Sequence, residues 1–343
     1  MSSKNRRKTA LLVLLFLTLL AFGLFRWIRA PFHGFAGPGV TVEFPIGTST
    51  SRIFRELSHA GVVRSAPLAE AYYRIFHRDQ PLLAGEYAFT GSETLDGVIG
   101  RIAAGEVVKH AVVVPEGLTG AETFVLFLDQ RIGTPRGFLR AFGETGLLPW
   151  PVPEGTDLEG FLFPDTYVVT RSTSTREILT RMAENFGRHF TAAMKERAQA
   201  MNLSVWQAVT LASLVEKETS LPQERPRIAA VYLNRLQRGM RLQCDPSVIY
   251  ALQREGKWTG RLHRSDLDFD SVYNTYLHYG LPPGPICNPG AASLAAAVGP
   301  SDVPDLYFVA RGDGGHYFSR TYEDHLRMVA RSRRNSAADE EPR

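Results

Sequence analysis

The chain has 343 residues, with 39 Lys+Arg against 35 Asp+Glu and a formal net charge of +4, which sets its pI near 9.1. Lys4, Arg6, Arg7 and Lys8 account for that whole excess, so the remainder is balanced and leaves no electrostatic footprint for nucleic acid as a partner. Two cysteines, Cys244 and Cys287, exclude a disulfide framework and allow one bridge at most.

In chain order, the basic cluster precedes an uncharged, Leu- and Phe-rich stretch from Thr9 to Phe25, which Arg26, Trp27, Ile28 and Arg29 close. The length approaches the roughly 17 to 25 residues of a membrane span, and Trp27 extends it to an interfacial anchor. A signal peptide has the same pattern. Phe25, Arg26 and Trp27 stand where a small-x-small cleavage site would be needed, so residues 1–29 read as a cytoplasmic tail and an uncleaved transmembrane anchor. More basic residues before the span than after it keep the N-terminus in the cytoplasm and place everything from about Ala30 outside.

About 310 external residues exceed one small core, so several units are expected. Val42 to Gly47 (VEFPIG) and Val112 to Gly117 (VVVPEG) form an internal repeat. In each copy a short strand meets a Pro-x-Gly turn and then a hydroxyl residue able to cap a helix. Between the copies, Ser65 to His77 reads as an amphipathic helix and Gly85 to Phe89 as a strand. Thr94 to Ala104 reads as a second helix, with Leu95, Val98, Ile99 and Ile102 inward. The expected class is α+β, with small β-α modules over 40–150. A Pro/Gly-rich linker near 147–155 separates them from a mixed α/β catalytic domain over 155–334, and a disordered tail covers 335–343. Within the C-terminal domain, helices are expected near 175–200, 205–218, 223–238, 291–298 and 322–334, strands over 306–310 and 316–319, and loops from Gly239 to Gly290.

The helix over 205–218 carries the sharpest chemical signal. Trp206, Val209, Leu211, Leu214 and Val215 make its apolar face, and Glu218 follows Leu214 by four and Leu211 by seven, so the face continues into a carboxyl group. Apolar surroundings disfavour a carboxylate, which leaves a protonated acid near neutral pH. Glu216 points elsewhere and is the second candidate for that role; solvation of a helix end is the alternative for both. Further clusters, LEGFLFPDTY, LQCDP, YNTY and GLPPGPICNPG, combine amides, carboxylates and tyrosines with Pro-stiffened loops. These types suit a sugar groove, whose hydroxyls need paired donors and acceptors; each cluster alone also suits a turn. No metal or cofactor is expected, since the histidines are scattered without HExxH and there is no CxxC. Ser213 lacks a nucleophile elbow, and His316 reads as a strand or loop histidine. Cys244 and Cys287 either pair or remain two buried thiols.

Taken together, LEGFLFPDTY, LASLVEKETS, VYLNRLQRGMRLQCDPSVIY, YNTY, GLPPGPICNPG and YFVARGDGGHYFS resemble, in order, the membrane-anchored endolytic murein transglycosylase family, called MltG or YceG-like. The resemblance implies a single-pass inner-membrane protein with a LysM-like module ahead of a periplasmic catalytic domain. It implies cleavage of nascent glycan strands between MurNAc and GlcNAc, leaving 1,6-anhydro ends, and assigns the catalytic role to Glu218, the second glutamate of the Glu-Lys-Glu-Thr string. Glu216, Gln243, Asp245, Asn274, Tyr276 and Asn288 are the expected substrate-binding residues. The expected partners are peptidoglycan strands and the membrane, with a cell-wall synthase as a further candidate. Two other classes remain: a non-catalytic peptidoglycan-binding scaffold, and a muramidase pairing Glu218 with Asp245 or Asp165.

Overall fold

A computed structural model of the chain describes residues 3–339, with side chains over 11–334. It divides into two compact units, one of Met1–His110 with Val168–Thr173 and one of Ala111–Tyr167 with Ser174–Arg343.

The first unit opens with α1 (Ser3–Arg29), of which Leu11–Arg29 has a mean hydropathy of 2.4 and none of its residues buried by protein. That length and composition suit a membrane span. There follow β1 (Val40–Phe44), α2 (Thr50–His59), α3 (Ala66–Phe76), β2 (Gly85–Phe89) and α4 (Leu95–Ala103). β1 and β2 pair antiparallel, Val40 opposite Phe89 and Phe44 opposite Gly85. Strand alternation turns Val42 and Phe44 inward and Thr41 and Glu43 outward. Phe54 and Leu57 of α2, Tyr72 and Tyr73 of α3, Tyr87 and Phe89 of β2, and Val98, Ile99 and Ile102 of α4 complete one apolar core. α4 starts where it should, because Thr94 accepts a hydrogen bond from the Gly97 amide. Glu43 and Glu86 receive Arg171 at 3.0 and 3.3 Å, which ties the short returning segment into this unit.

β3 (His110–Val113) carries the chain out of the first unit, and β4 (Thr166–Val169) carries it back. The second unit holds α5 (Gly120–Asp129), α6 (Pro135–Phe142), α7 (Thr175–His189), α8 (Ala192–Ala200), α9 (Val205–Glu218), α10 (Arg225–Gln237), α11 (Asp245–Arg254), α12 (Ala291–Ala297), β5 (Tyr307–Ala310), β6 (His316–Ser319) and α13 (Tyr322–Asp339). α9 is its central rod. From Ala208 through Val215 every residue is buried, and α10, α11 and α12 pack around it. The small side chains of α12, Ala-Ala-Ser-Leu-Ala-Ala-Ala, permit that close approach. β5 and β6 form an antiparallel hairpin, Ala310 opposite His316.

Four expectations change. The compact units divide after His110 rather than at residues 147–155, because the second strand-turn-helix copy is bonded into the second unit: Val114 donates to the Asp165 carbonyl at 2.9 Å and Gly117 to that of Asn288 at 2.9 Å. The single helix expected over 175–200 is two, because Thr191 caps a new one by accepting from the Met194 amide. The loop expected from Gly239 to Gly290 contains α11, opened by Asp245-Pro246. The tail expected to be disordered is helical through Asp339, and its remainder lies outside the described residues.

Candidate active site

α9 brings its last residue, Glu218, to the site by a well-specified route. Ser204 and Gln207 form a reciprocal capping box at its start, an arrangement whose loss costs about 1 kcal/mol. The buried face of the helix fixes its rotation. Ser213 serves that packing, since its hydroxyl donates to the Thr210 carbonyl at 2.7 Å and accepts from the Ile286 amide at 3.0 Å.

Two clefts meet at Glu218. The first, about 440 Å³, is lined by Glu116, Gly117, Leu118, Glu216–Ser220 and Arg225. The second, about 560 Å³, is lined by Arg235, Gln243, Asp245, Tyr276, Phe308 and His316 among others. Among the described residues Glu218 is the one side chain common to both. It is half-buried and accepts a short hydrogen bond from the Tyr232 hydroxyl. Burial raises its pKa above the ordinary glutamate value; the bonds from Tyr232 and Cys244 pull the other way, Asp245 adds repulsion and His316 lowers it. Its position at the negative end of the α9 dipole acts in the same direction as burial. Tyr232 itself is pushed far up, chiefly by burial, so it stays a hydroxyl donor.

Glu216 is in the opposite situation. Its side chain is 6% exposed and paired with Arg225 at 3.3 Å, and it accepts from the Gly290 amide at 3.0 Å. Both oxygens are committed, so Glu216 fastens the start of α12 while lining the first cleft. Glu116 sits beside the same arginine at 3.8 Å. Burial, then repulsion from Glu216, raises the Glu116 carboxyl, and Arg225 only partly offsets this. Lys217 donates to the Gly117 carbonyl at 3.1 Å. The first cleft is therefore a floor of mutually paired charges.

The other expected residues separate in the same way. Gln243, held at φ 51°, lines the second cleft, as do Asp245 and Tyr276. The Tyr276 hydroxyl donates to Asp245 at 2.5 Å. Asn274 and Asn288 line neither of these two clefts. Asn274 is fully buried; it donates to the carbonyls of Leu267 and Phe269 and accepts from the Tyr276 amide. Asn288, equally buried, accepts from the Leu162 amide at 3.0 Å and donates to the Leu118 carbonyl at 3.0 Å. These amides hold loops, and the polar motifs around them meet as a scaffold. Gly160 at φ 85° lets Pro285 pack directly on the LEGFLFPDTY turn, where a Cβ would collide. Asp165 is bonded to Asn185 at 2.9 Å and lines neither of the two clefts. Cys244 and Cys287 are separate, buried free thiols.

Sequence reasoning missed Tyr232, Arg235 and the cleft-facing position of His316. Tyr232 and Arg235 sit three apart on α10, a spacing that gives one helix face, but nothing local says which helix that face meets. Arg235 is buried and donates to the carbonyls of Leu306 at 2.6 Å and Leu242 at 2.8 Å, pinning the residue before β5 and the loop before α11 to α10. His316 is oriented by Glu224 through its backbone amide at 3.0 Å and Nδ1 at 2.7 Å.

Comparison with known proteins gives the family. The YceG-like family model matches residues 42–331. An endolytic murein transglycosylase of Bacillus subtilis is 30% identical over 302 residues, covering 83% of this chain and 82% of the relative. The endolytic murein transglycosylase of Streptococcus pneumoniae (strain D39) is 30% identical over 325 residues, covering 85% of this chain, which spans 58% of that longer protein. A crystal structure of a YceG-like protein from Listeria monocytogenes superposes with a TM-score of 0.54 at 31% identity, covering 85% of this chain and all of that one. The chain belongs to the YceG-like family.

Proposed function

We propose that this member of the YceG-like family is an endolytic peptidoglycan lytic transglycosylase, with Glu218 as its single acid and base. The observation that carries the assignment of Glu218 is its place at the junction of two clefts: a glycan threaded from one to the other passes its carboxyl, which is held by the Tyr232 hydroxyl rather than by an ion pair. Burial keeps that carboxyl protonated to higher pH than an ordinary glutamate. Glu218 donates its proton to the bridging oxygen between MurNAc and GlcNAc as the MurNAc C1–O bond breaks. The carboxylate then takes the proton of the MurNAc C6 hydroxyl while O6 bonds to C1, closing a 1,6-anhydro ring. No water is consumed, and one carboxyl suffices. In the ionised interval the Tyr232 hydroxyl bond steadies the carboxylate.

Gln243, Asp245, Tyr276 and His316 line the second cleft as polar groups beside the Phe308 ring, a combination suited to sugar hydroxyls and C–H faces. The β1-α2-α3-β2 order of the first unit, with its antiparallel strand pair, supports reading that unit as a LysM-like glycan grip. α1 serves as a single-pass inner-membrane anchor, its N-terminus cytoplasmic and both units periplasmic. A cell-wall synthase is a fitting partner for an enzyme that ends nascent strands.

The test is mass spectrometry of purified glycan strands incubated with the intact chain. Each cut is expected to yield a product pair whose combined mass equals that of the strand. A gain of one water per cut would point instead to hydrolysis by Glu218 with Asp245, the carboxylate that shares its cleft, and bound but uncut strands would make the protein a scaffold.

A further inference from the structure

We propose that the C-terminal end of α3 is a membrane-seated face, with Ile75 and Phe76 in the headgroup–acyl boundary of the bilayer that α1 crosses and Arg78 toward lipid phosphate. α3 buries Ala69, Tyr72 and Tyr73 in the first unit's core, yet its last two residues are left bare, Ile75 at 71% and Phe76 at 55% exposure. Their position relative to the span sets what covers them. The Phe25 ring lies 5.7 Å from that of Phe76 and 6.0 Å from that of Tyr72. Phe25 is the last residue before the closing segment Arg26–Arg29 and stands four residues inside Arg29, the end of the candidate span, which at 1.5 Å per residue is about 6 Å. A ring packed beside Phe25 therefore shares that depth, within the roughly 5 to 10 Å to which interfacial helices bury.

The junction is braced, so this depth is a fixed property of the unit. Asp96, in the first turn of α4, accepts from Arg29 Nε at 2.8 Å and from the Tyr72 hydroxyl at 2.7 Å, and meets His77 Nε2 at 2.9 Å. Span, α3 and α4 thus share one carboxylate. Just after the span, Phe32 and Glu93 exchange backbone hydrogen bonds at 2.9 and 3.2 Å, and Arg64 covers the rings of Trp27 and Phe32 at 5.2 and 4.6 Å. Arg78, exposed in the turn two residues after Phe76, completes the pattern of an apolar tip with a cation at headgroup level. The occupant is lipid, because the face is continuous with the span itself.

This inference rests on α1 crossing a membrane, and the test separates the two. The full chain carrying Ile75→Cys or Leu15→Cys, labelled with an environment-sensitive dye, is reconstituted in anionic phospholipid vesicles; the unsubstituted chain, whose two thiols are buried, serves as the labelling blank. The dye at position 75 is expected to be quenched by lipids spin-labelled near the headgroup. It is also expected to be shielded from iodide several-fold relative to the same dye on free cysteine in buffer. Iodide access at 75 equal to that of the free adduct, with the dye at 15 still in lipid, would overturn the seat alone. Water exposure at both positions would overturn the span and the seat together.

Discussion

The two clefts beside Glu218 differ in how their charges are spent. In the first, Glu216, Glu116, Arg225 and Lys217 answer one another or a backbone group. In the second, Asp245 is tied to Tyr276 and His316 to Glu224, while Glu218, at the boundary, has a hydroxyl donor and, among the described residues, no cation bonded to it. Two glutamates a single residue apart on one helix are thus given opposite tasks, because two steps along a helix turn a side chain to the other face. A paired carboxylate fastens loops; an unpaired, half-buried one can exchange a proton.

Four substitutions break or sharpen that contrast. The largest effect is expected for Glu218→Gln, which keeps size and polarity but has no proton to give: cleavage falls about 100- to 10,000-fold, with an unchanged unfolding transition. Glu216→Gln should do the reverse. It leaves buried Arg225 with only the more distant Glu116 at 3.8 Å, lowering stability in chemical denaturation by up to about 3 kcal/mol while folded enzyme still makes the same products.

Tyr232→Phe is expected to slow cleavage about tenfold through loss of a charge-assisted bond worth roughly 1.5 kcal/mol. Because burial raises the Glu218 pKa and the Tyr232 bond opposes it, removing that bond moves the alkaline limb of the rate profile to higher pH. A downward shift would put Tyr232 in another role. Glu159 extends the contrast beyond the clefts. It accepts from the Gly120 amide at 2.9 Å and from the Tyr250 hydroxyl at 3.3 Å, and burial, with repulsion from Asp157, pushes its pKa up to about 8. A raised carboxyl pKa favours folding below the ordinary value near 4.3, and the contribution is lost as pH rises through about 8. Glu159→Gln should therefore flatten the fall in Tm between about pH 5 and 8 with cleavage little altered.

Much of this was legible along the chain, wherever local chemistry decides. α9 runs over Val205–Glu218 as its apolar spacing requires, and Leu95, Val98, Ile99 and Ile102 turn inward together on α4. The carboxyl at the end of the α9 face reaches the clefts. What local pattern does not carry is the choice between polar side chains that meet ligand and those that meet backbone. Asn274 and Asn288 have the composition of sugar-binding amides, but their partners, Leu267, Phe269, Leu118 and Leu162, include groups up to 170 residues away. The division after His110 was hidden for the same reason. The second strand-turn copy looks like the first in sequence, and only its bonds to Asp165 and Asn288 assign it elsewhere.

The most direct measurement is the titration of the Glu218 carboxyl, read as the carboxyl carbon resonance in glutamate-labelled protein and assigned by its disappearance in Glu218→Gln. A midpoint clearly above the ordinary glutamate value of about 4.3 is predicted, in keeping with the burial that raises it. A midpoint at or below that value would mean that Glu218 is an ordinary carboxylate with no proton to give, and would contradict its role as the acid.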